Sequence, residues 1–262
     1  MDFSKIGSSA DNLTEEKSFE RELPRAGVAL VRYVAYMETG KHLPKNPTYK
    51  AAHKCVHVFE LNHPDHMIEL DGGEKVPQRV FVHQNIGRTG KSQYMKMFKV
   101  MNLACDNRFT HFVQMLGQGF LAEIFHNTSE KKEVYANLHM DGAWSFKKPV
   151  MVDVMTKAIT PIPIPEAVEE LKGFLWENAG ITDEDVKSMW DSLFIDGDKD
   201  NGESKNWVQL SIMDNIEWEG SRTQSLTQEF VDLEGEVEPS TEMEGLAGLA
   251  QPDPGVGEDV QF

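Results

Sequence analysis

Cations and aromatic rings alternate through the first two thirds of this 262-residue chain in a pattern that suits one kind of chemistry. Lys41, Lys45, Tyr49, Lys50 and Lys54 fall within one short stretch. His57 and Phe59 are two residues apart, as are Arg79 and Phe81, so each pair would share one face of a strand. Lys131 and Lys132 adjoin in a polar turn, and Trp144, Phe146, Lys147 and Lys148 close a segment, 139–149, read as an inserted loop. Positive groups that follow a phosphate backbone, with ring faces on which bases stack, bind single strands without sequence preference at about 1–3 kcal/mol per stacked base. Each residue also has a bland reading. Phe59 and Phe81 fill a core as readily as they carry a base, depending on which face is outward. Any one lysine can be a solvated charge only, whereas Tyr49 and Trp144, flanked by lysines in expected loops, favour contact.

Other patterns offer chemistry and fall short of it. Gly87-Arg88-Thr89-Gly90-Lys91-Ser92 imitates a phosphate-binding loop, but Asn85 stands where that pattern needs its first glycine. His53, Cys55, His57, His63 and His66 are metal-ligating types, yet a zinc site in a reducing compartment usually has two close cysteines. The acidic turn Asp196–Gly202 has its glycine one place late for a calcium loop. No carboxylate pair or nucleophile motif points to catalysis, so the expectation is a protein that is not an enzyme and carries no metal and no cofactor. The open alternatives are a phosphate-loop nucleotide-binding enzyme, an assembly protein, and an adaptor that binds protein alone.

The charge of −17 argues against a nucleic-acid partner until it is divided along the chain. Residues 1–23 carry a net −3, residues 24–160 a net +6, and residues 161–262 a net −20. A mildly basic body thus bears an acidic C-terminal third. No Lys or Arg follows Arg222, and the last 40 residues hold 10 acidic side chains and few large apolar ones, which predicts a disordered tail from about 223. It ends Glu258-Asp259-Val260-Gln261-Phe262, where an apolar anchor beside two carboxylates reads as a docking peptide. Two cysteines, no basic-apolar leader and no long apolar run lead to the expectation of a cytoplasmic protein without membrane contact.

The elements that must position these residues follow from periodicity. Strands are predicted at 27–37, 54–61 and 78–84, with a long basic loop from 38 to 48. Tyr94, Met97, Phe98 and Met101 recur at helical spacing and predict a helix beginning near Ser92. Strands near 119–126 and 134–138 come next, then a β-like stretch ending in Pro161-Ile162-Pro163-Ile164-Pro165. Beyond that boundary, helices are predicted on the stripe Val168, Leu171, Leu175, on 182–194 behind Thr182, and on 206–218. Three strands, a helix and a strand pair is the order of a five-stranded OB-fold barrel with its helix between strands three and four. The predicted fold is therefore mainly β. It comprises a flexible segment at 1–23, an OB-fold domain at 24–165, an acidic helical extension at 166–222 and the tail at 223–262.

Assembled, the chain resembles phage-type single-stranded DNA-binding proteins. The carriers are Gly27-Val28-Ala29-Leu30-Val31, Val80–Val82 leading to Gly90-Lys91-Ser92, Gly117-Gln118-Gly119-Phe120-Leu121, Tyr135-Ala136-Asn137, the Pro-Ile-Pro run and the acidic tail closed by an aromatic residue. The resemblance implies single-stranded DNA as ligand, and recruitment of replication or recombination proteins through Glu258, Asp259 and Phe262. A homodimer is left open. The 139–149 insertion and the helices at 166–218 depart from the resemblance.

Overall fold

Near-continuous apolar runs such as Cys55–Leu61 leave a strand no wet face, and here they build a sheet covered on both sides. The computed structural model describes residues 23–69, 73, 75–128, 134–198 and 202–231. It runs β1 (Gly27–His42), β2 (Ala52–Leu61), β3 (Met67–Glu69), β4 (Lys75–Pro77), β5 (Arg79–Asn85) and α1 (Gln93–Ala104). Then come β6 (Gly119–Thr128), β7 (Val134–Asn137), β8 (His139–Met140), β9 (Ala143–Trp144), β10 (Val150–Val152), β11 (Ile159–Pro161) and β12 (Lys172–Phe174). The helices α2 (Asp183–Leu193), α3 (Trp207–Met213) and α4 (Arg222–Val231) close it.

The main sheet has the order β5-β2-β1-β6-β7. Its pairs β1–β2, β2–β5, β1–β6 and β6–β7 are antiparallel, and β12 adds to β1 in parallel. Strands β6, β1, β2 and β5 lie in the arrangement of a Greek key: three consecutive neighbours and a fourth returned beside the first. The end strands β5 and β7 approach each other, but among the described residues no ladder joins them into a closed barrel. The fold is thus mainly β, with antiparallel sheets and a few helices.

A β-bulge makes the two faces. In β1, Tyr33 pairs with Phe59 and Ala35 with Val58, leaving Val34 as the extra residue. Tyr33 and Tyr36 therefore both point inward while Val34, Ala35 and Met37 point outward. The inner layer joins Tyr33, Phe59, Val80, Phe120 and Ile124 to Met97 and Met101 of α1 and to Phe112. The outer layer joins Val56, Val58 and Met37 to Phe174, Trp176, Leu193, Val208 and Ile212 of the extension.

Several boundaries differ from the sequence pattern. Strand β1 continues to His42 where a loop is predicted from 38, because residues 38–42 pair with Ala52–Cys55. Gly40 makes this approach feasible: its φ is +81°, and a Cβ there would stand 2.5 Å from the Asn215 side chain. The stripe Val168, Leu171, Leu175 forms no helix; Lys172–Phe174 is a strand, because β1 offers Ala35–Met37 as an open edge. Order also extends past 223, since α4 buries Thr223 and Thr227 and its first amides donate to the Glu177 carboxylate. The predicted α2 forms behind its Thr182 cap, whose hydroxyl accepts from the Asp185 amide. The helix α3 is shorter than predicted.

Candidate nucleic-acid interface

Strand parity places His57 and Phe59 on the inner face. Phe59 is fully buried and stacks on Tyr33 at 4.9 Å, so it is core and carries no base. His57 is also fully buried, with Nδ1 2.8 Å from the Tyr33 hydroxyl and Nε2 3.4 Å from the Cys55 thiol. Burial is the main reason that its pKa falls from 6.5 to about 3, so the ring is neutral and offers phosphate no charge. Burial likewise pushes the Cys55 thiol up, away from reactivity.

Arg79 and Phe81 share a face as expected, and it is the outer one, which the extension covers. The Arg79 guanidinium donates to the fully buried Glu60 at 3.0 Å and contacts Glu169 at 2.8 Å. Phe81 meets Trp207 edge-on at 6.1 Å. The cover is fastened along its length. Arg32 donates to the carbonyls of Gly117, Ile164 and Pro165, Glu60 accepts from the Val168 amide, and Glu38 accepts from the Trp176 amide. The sheet face that an OB-fold would offer to a strand is here an interior.

Trp144 and Phe146 are core as well, at 8% and 3% exposure. Phe146 packs on Phe59 and Phe120, and the Trp144 indole donates to the Gln93 side chain at 3.2 Å. Their spacing of two, read as an inserted loop, is strand-like alternation. The β8–β9 hairpin folds them inward against α1, while Lys147 between ladder bonds to Leu121 stays exposed.

Besides Lys147, what remains solvent-facing among the described residues of the predicted set is the β1–β2 loop. Tyr49 is 59% exposed between the exposed Lys45 and Lys50. Lys54 is half-buried nearby, and Lys41 is engaged by Glu217 at 3.1 Å. Lys131, Lys132, Glu258, Asp259 and Phe262 lie outside the described residues.

Of the residues beside this loop, His53 was read only as a metal-ligating type and Arg88 and Lys91 only as part of an imitation phosphate loop; none was assigned to the interface. The Ile86 amide donates to the His53 carbonyl, which seats the turn before α1 against the start of β2. A cavity of about 560 Å³ opens there, lined by Glu38, His53, Arg88, Trp176, Glu217 and Glu219 among others. Burial raises the Glu38 carboxyl, while burial and then the Arg88 charge lower His111. Ser92 spends its hydroxyl on capping α1, accepting from the Met95 amide and donating to Gly87 and Thr89 carbonyls. Exposed Arg88, Lys91, Lys96 and Lys99 follow one another along this turn and helix. The signal for them was available: residues 75–105 hold six Lys or Arg and no Asp or Glu. Among the described residues, no three His, Cys, Asp or Glu side chains converge as metal ligands, and no helix is long and apolar enough to cross a membrane. No family model, curated protein or solved structure matches the chain.

Proposed function

We propose that this chain is an OB-fold protein that binds single-stranded DNA without sequence preference and performs no catalysis of its own. The observation that carries the reading is the strand order β5-β2-β1-β6-β7 with α1 between β5 and β6, the Greek-key order of a partly open five-stranded barrel. The exposed Lys45, Tyr49 and Lys50 supply the ligand chemistry at the loop after the first strand, where OB-folds hold oligonucleotides. In this reading the acidic segment 232–262, with nine carboxylates and no basic residue, competes with phosphates and recruits replication or recombination proteins of a phage through Phe262. The test is retardation of labelled oligo(dT) at low salt.

A protein-binding adaptor is the second reading. It is favoured by the β10–β11 hairpin, which holds Met151, Val154 and Met155 at 63%, 78% and 90% exposure. Failure to bind any single strand, together with loss of a protein contact on mutating Met155, would favour it over the first.

A further inference from the structure

We infer that the outward face of α1, with the turn before it, is a phosphate-binding track for single-stranded nucleic acid, carried by Arg88, Lys91, Lys96 and Lys99. This rests on the proposed reading of the chain as a single-strand binder and relocates its site. The outer face of β2 and β5 is closed by the extension, so a strand that meets the β1–β2 loop must continue elsewhere.

The turn before α1 is the adjoining surface. Lys54 pairs with Asn85, and Ile86 is bonded to His53, so the path leaves the loop directly onto Arg88. Lys96 and Lys99 sit one turn apart on α1, on the side opposite the buried Tyr94, Met97 and Met101. The Lys99 ammonium reaches back over the turn, 3.7 Å from where a Cβ on Gly90, the residue before Lys91, would stand.

Charge marks this face as unusual in an acidic chain. At the chain's average composition residues 75–105 would hold about five acidic side chains; they hold none. Lys41, Arg79, Lys148 and Arg222 are each paired with a carboxylate, whereas Lys91, Lys96 and Lys99 form no ion pair with a described residue and Arg88 makes no direct pair with one, its charge reaching Glu38 across the shared cavity. Lys91 and Lys96 also flank the positive end of the helix dipole, with no acid in the first turn to balance them. Placement against stability is expected where a ligand supplies the missing negative charge. No exposed ring lies on α1, so the contacts are to phosphates and read no sequence.

The experiment is fluorescence anisotropy of the full chain with labelled oligo(dT) across a salt series, for the wild type and the triple variant Lys91→Ala, Lys96→Ala, Lys99→Ala. Each phosphate neutralised on a single strand contributes about 0.7 to the log–log salt slope, so the triple variant should be shallower by about 2. Its affinity at low salt should fall more than tenfold with an unchanged thermal midpoint, because all three side chains are exposed. Arginine at the three positions should restore the slope, and Lys205→Ala on the extension should leave it intact. A wild type that binds, with a triple variant of unaltered slope, overturns the track and leaves the single-strand reading standing. A wild type that does not bind oligo(dT) removes both.

Discussion

Trp144 and Tyr49 should part ways when each is cut to alanine. Trp144 is 8% exposed, stacked near Phe146 and donating to Gln93, whereas Tyr49 is 59% exposed on a loop. Removing a buried tryptophan costs about 3–5 kcal/mol in lost transfer energy and residual cavity. For a protein this size each kcal/mol moves the thermal midpoint by about 2–4 °C, so Trp144→Ala should melt roughly 6–20 °C lower. Tyr49→Ala removes little packing and should melt within about 2 °C of the wild type. Binding should show the reverse. Losing one stacking platform weakens oligo(dT) affinity by about 1–3 kcal/mol, and that loss belongs to Tyr49→Ala. Trp144→Ala, assayed well below its midpoint, should bind as the wild type does. Differential scanning fluorimetry and anisotropy on the same preparations decide it. A Trp144→Ala protein of normal midpoint that fails to bind would refute the inward placement of the β8–β9 hairpin.

Three more expectations follow from buried charge and from the acidic segment. The folded pKa of His57 lies near 3 against 6.5 when unfolded, so unfolding takes up a proton below about pH 6.5. Stability from this group is complete above that pH and falls by about 1.4 kcal/mol per unit as acid is added, down to about pH 3. A His57→Gln variant should show a flatter acid limb in denaturant titrations, and an identical limb would show that His57 is not buried neutral. Arg79→Met strands the buried Glu60 carboxylate with the Val168 amide alone, and should cost about 3–5 kcal/mol while leaving the salt slope of binding unchanged. Adding Glu60→Gln should recover part of the loss, and a double variant no more stable than the single one counts against the pair. Truncation at 231, which spares α4, should tighten oligo(dT) binding most at low salt; weaker binding would place the acidic segment within the site.

Local signals were readable and layer assignments were not. Ser92 and Thr182 stand before the helices they cap, because capping involves only the next three residues. The parity of β2 was legible too, and it separates His57 and Phe59 from Val56 and Val58. Which side faces water was not, since parity alone does not say that a distant segment will cover the second face. The near-continuous apolar run Cys55–Leu61, broken only by His57 and Glu60, hinted at it, as strands buried on both sides lack polar alternation. Val168, Leu171 and Leu175 fit a helical stripe, but Val168 and Leu171 are exposed, and pairing with β1 overrides a three-residue pattern. The bulge at Val34 has no sequence signature of its own, yet it decides that Tyr33 and Tyr36 share the inner core. At the candidate interface, Tyr49, Lys45 and Lys50 keep the exposure expected of them, while the acid-free run through α1 shows only when negative charge is counted as well as positive.

Equilibrium binding of the full chain to oligo(dT), measured across a salt series beside oligo(dA), mixed-sequence single strands and a duplex, tests the central claim most directly. The account predicts saturable binding of every single strand at about 50 mM salt, with log affinity falling linearly in log salt at about 0.7 per phosphate neutralised, and weaker binding of the duplex. Absence of binding to all single strands at that salt would contradict it, as would an affinity that salt does not change.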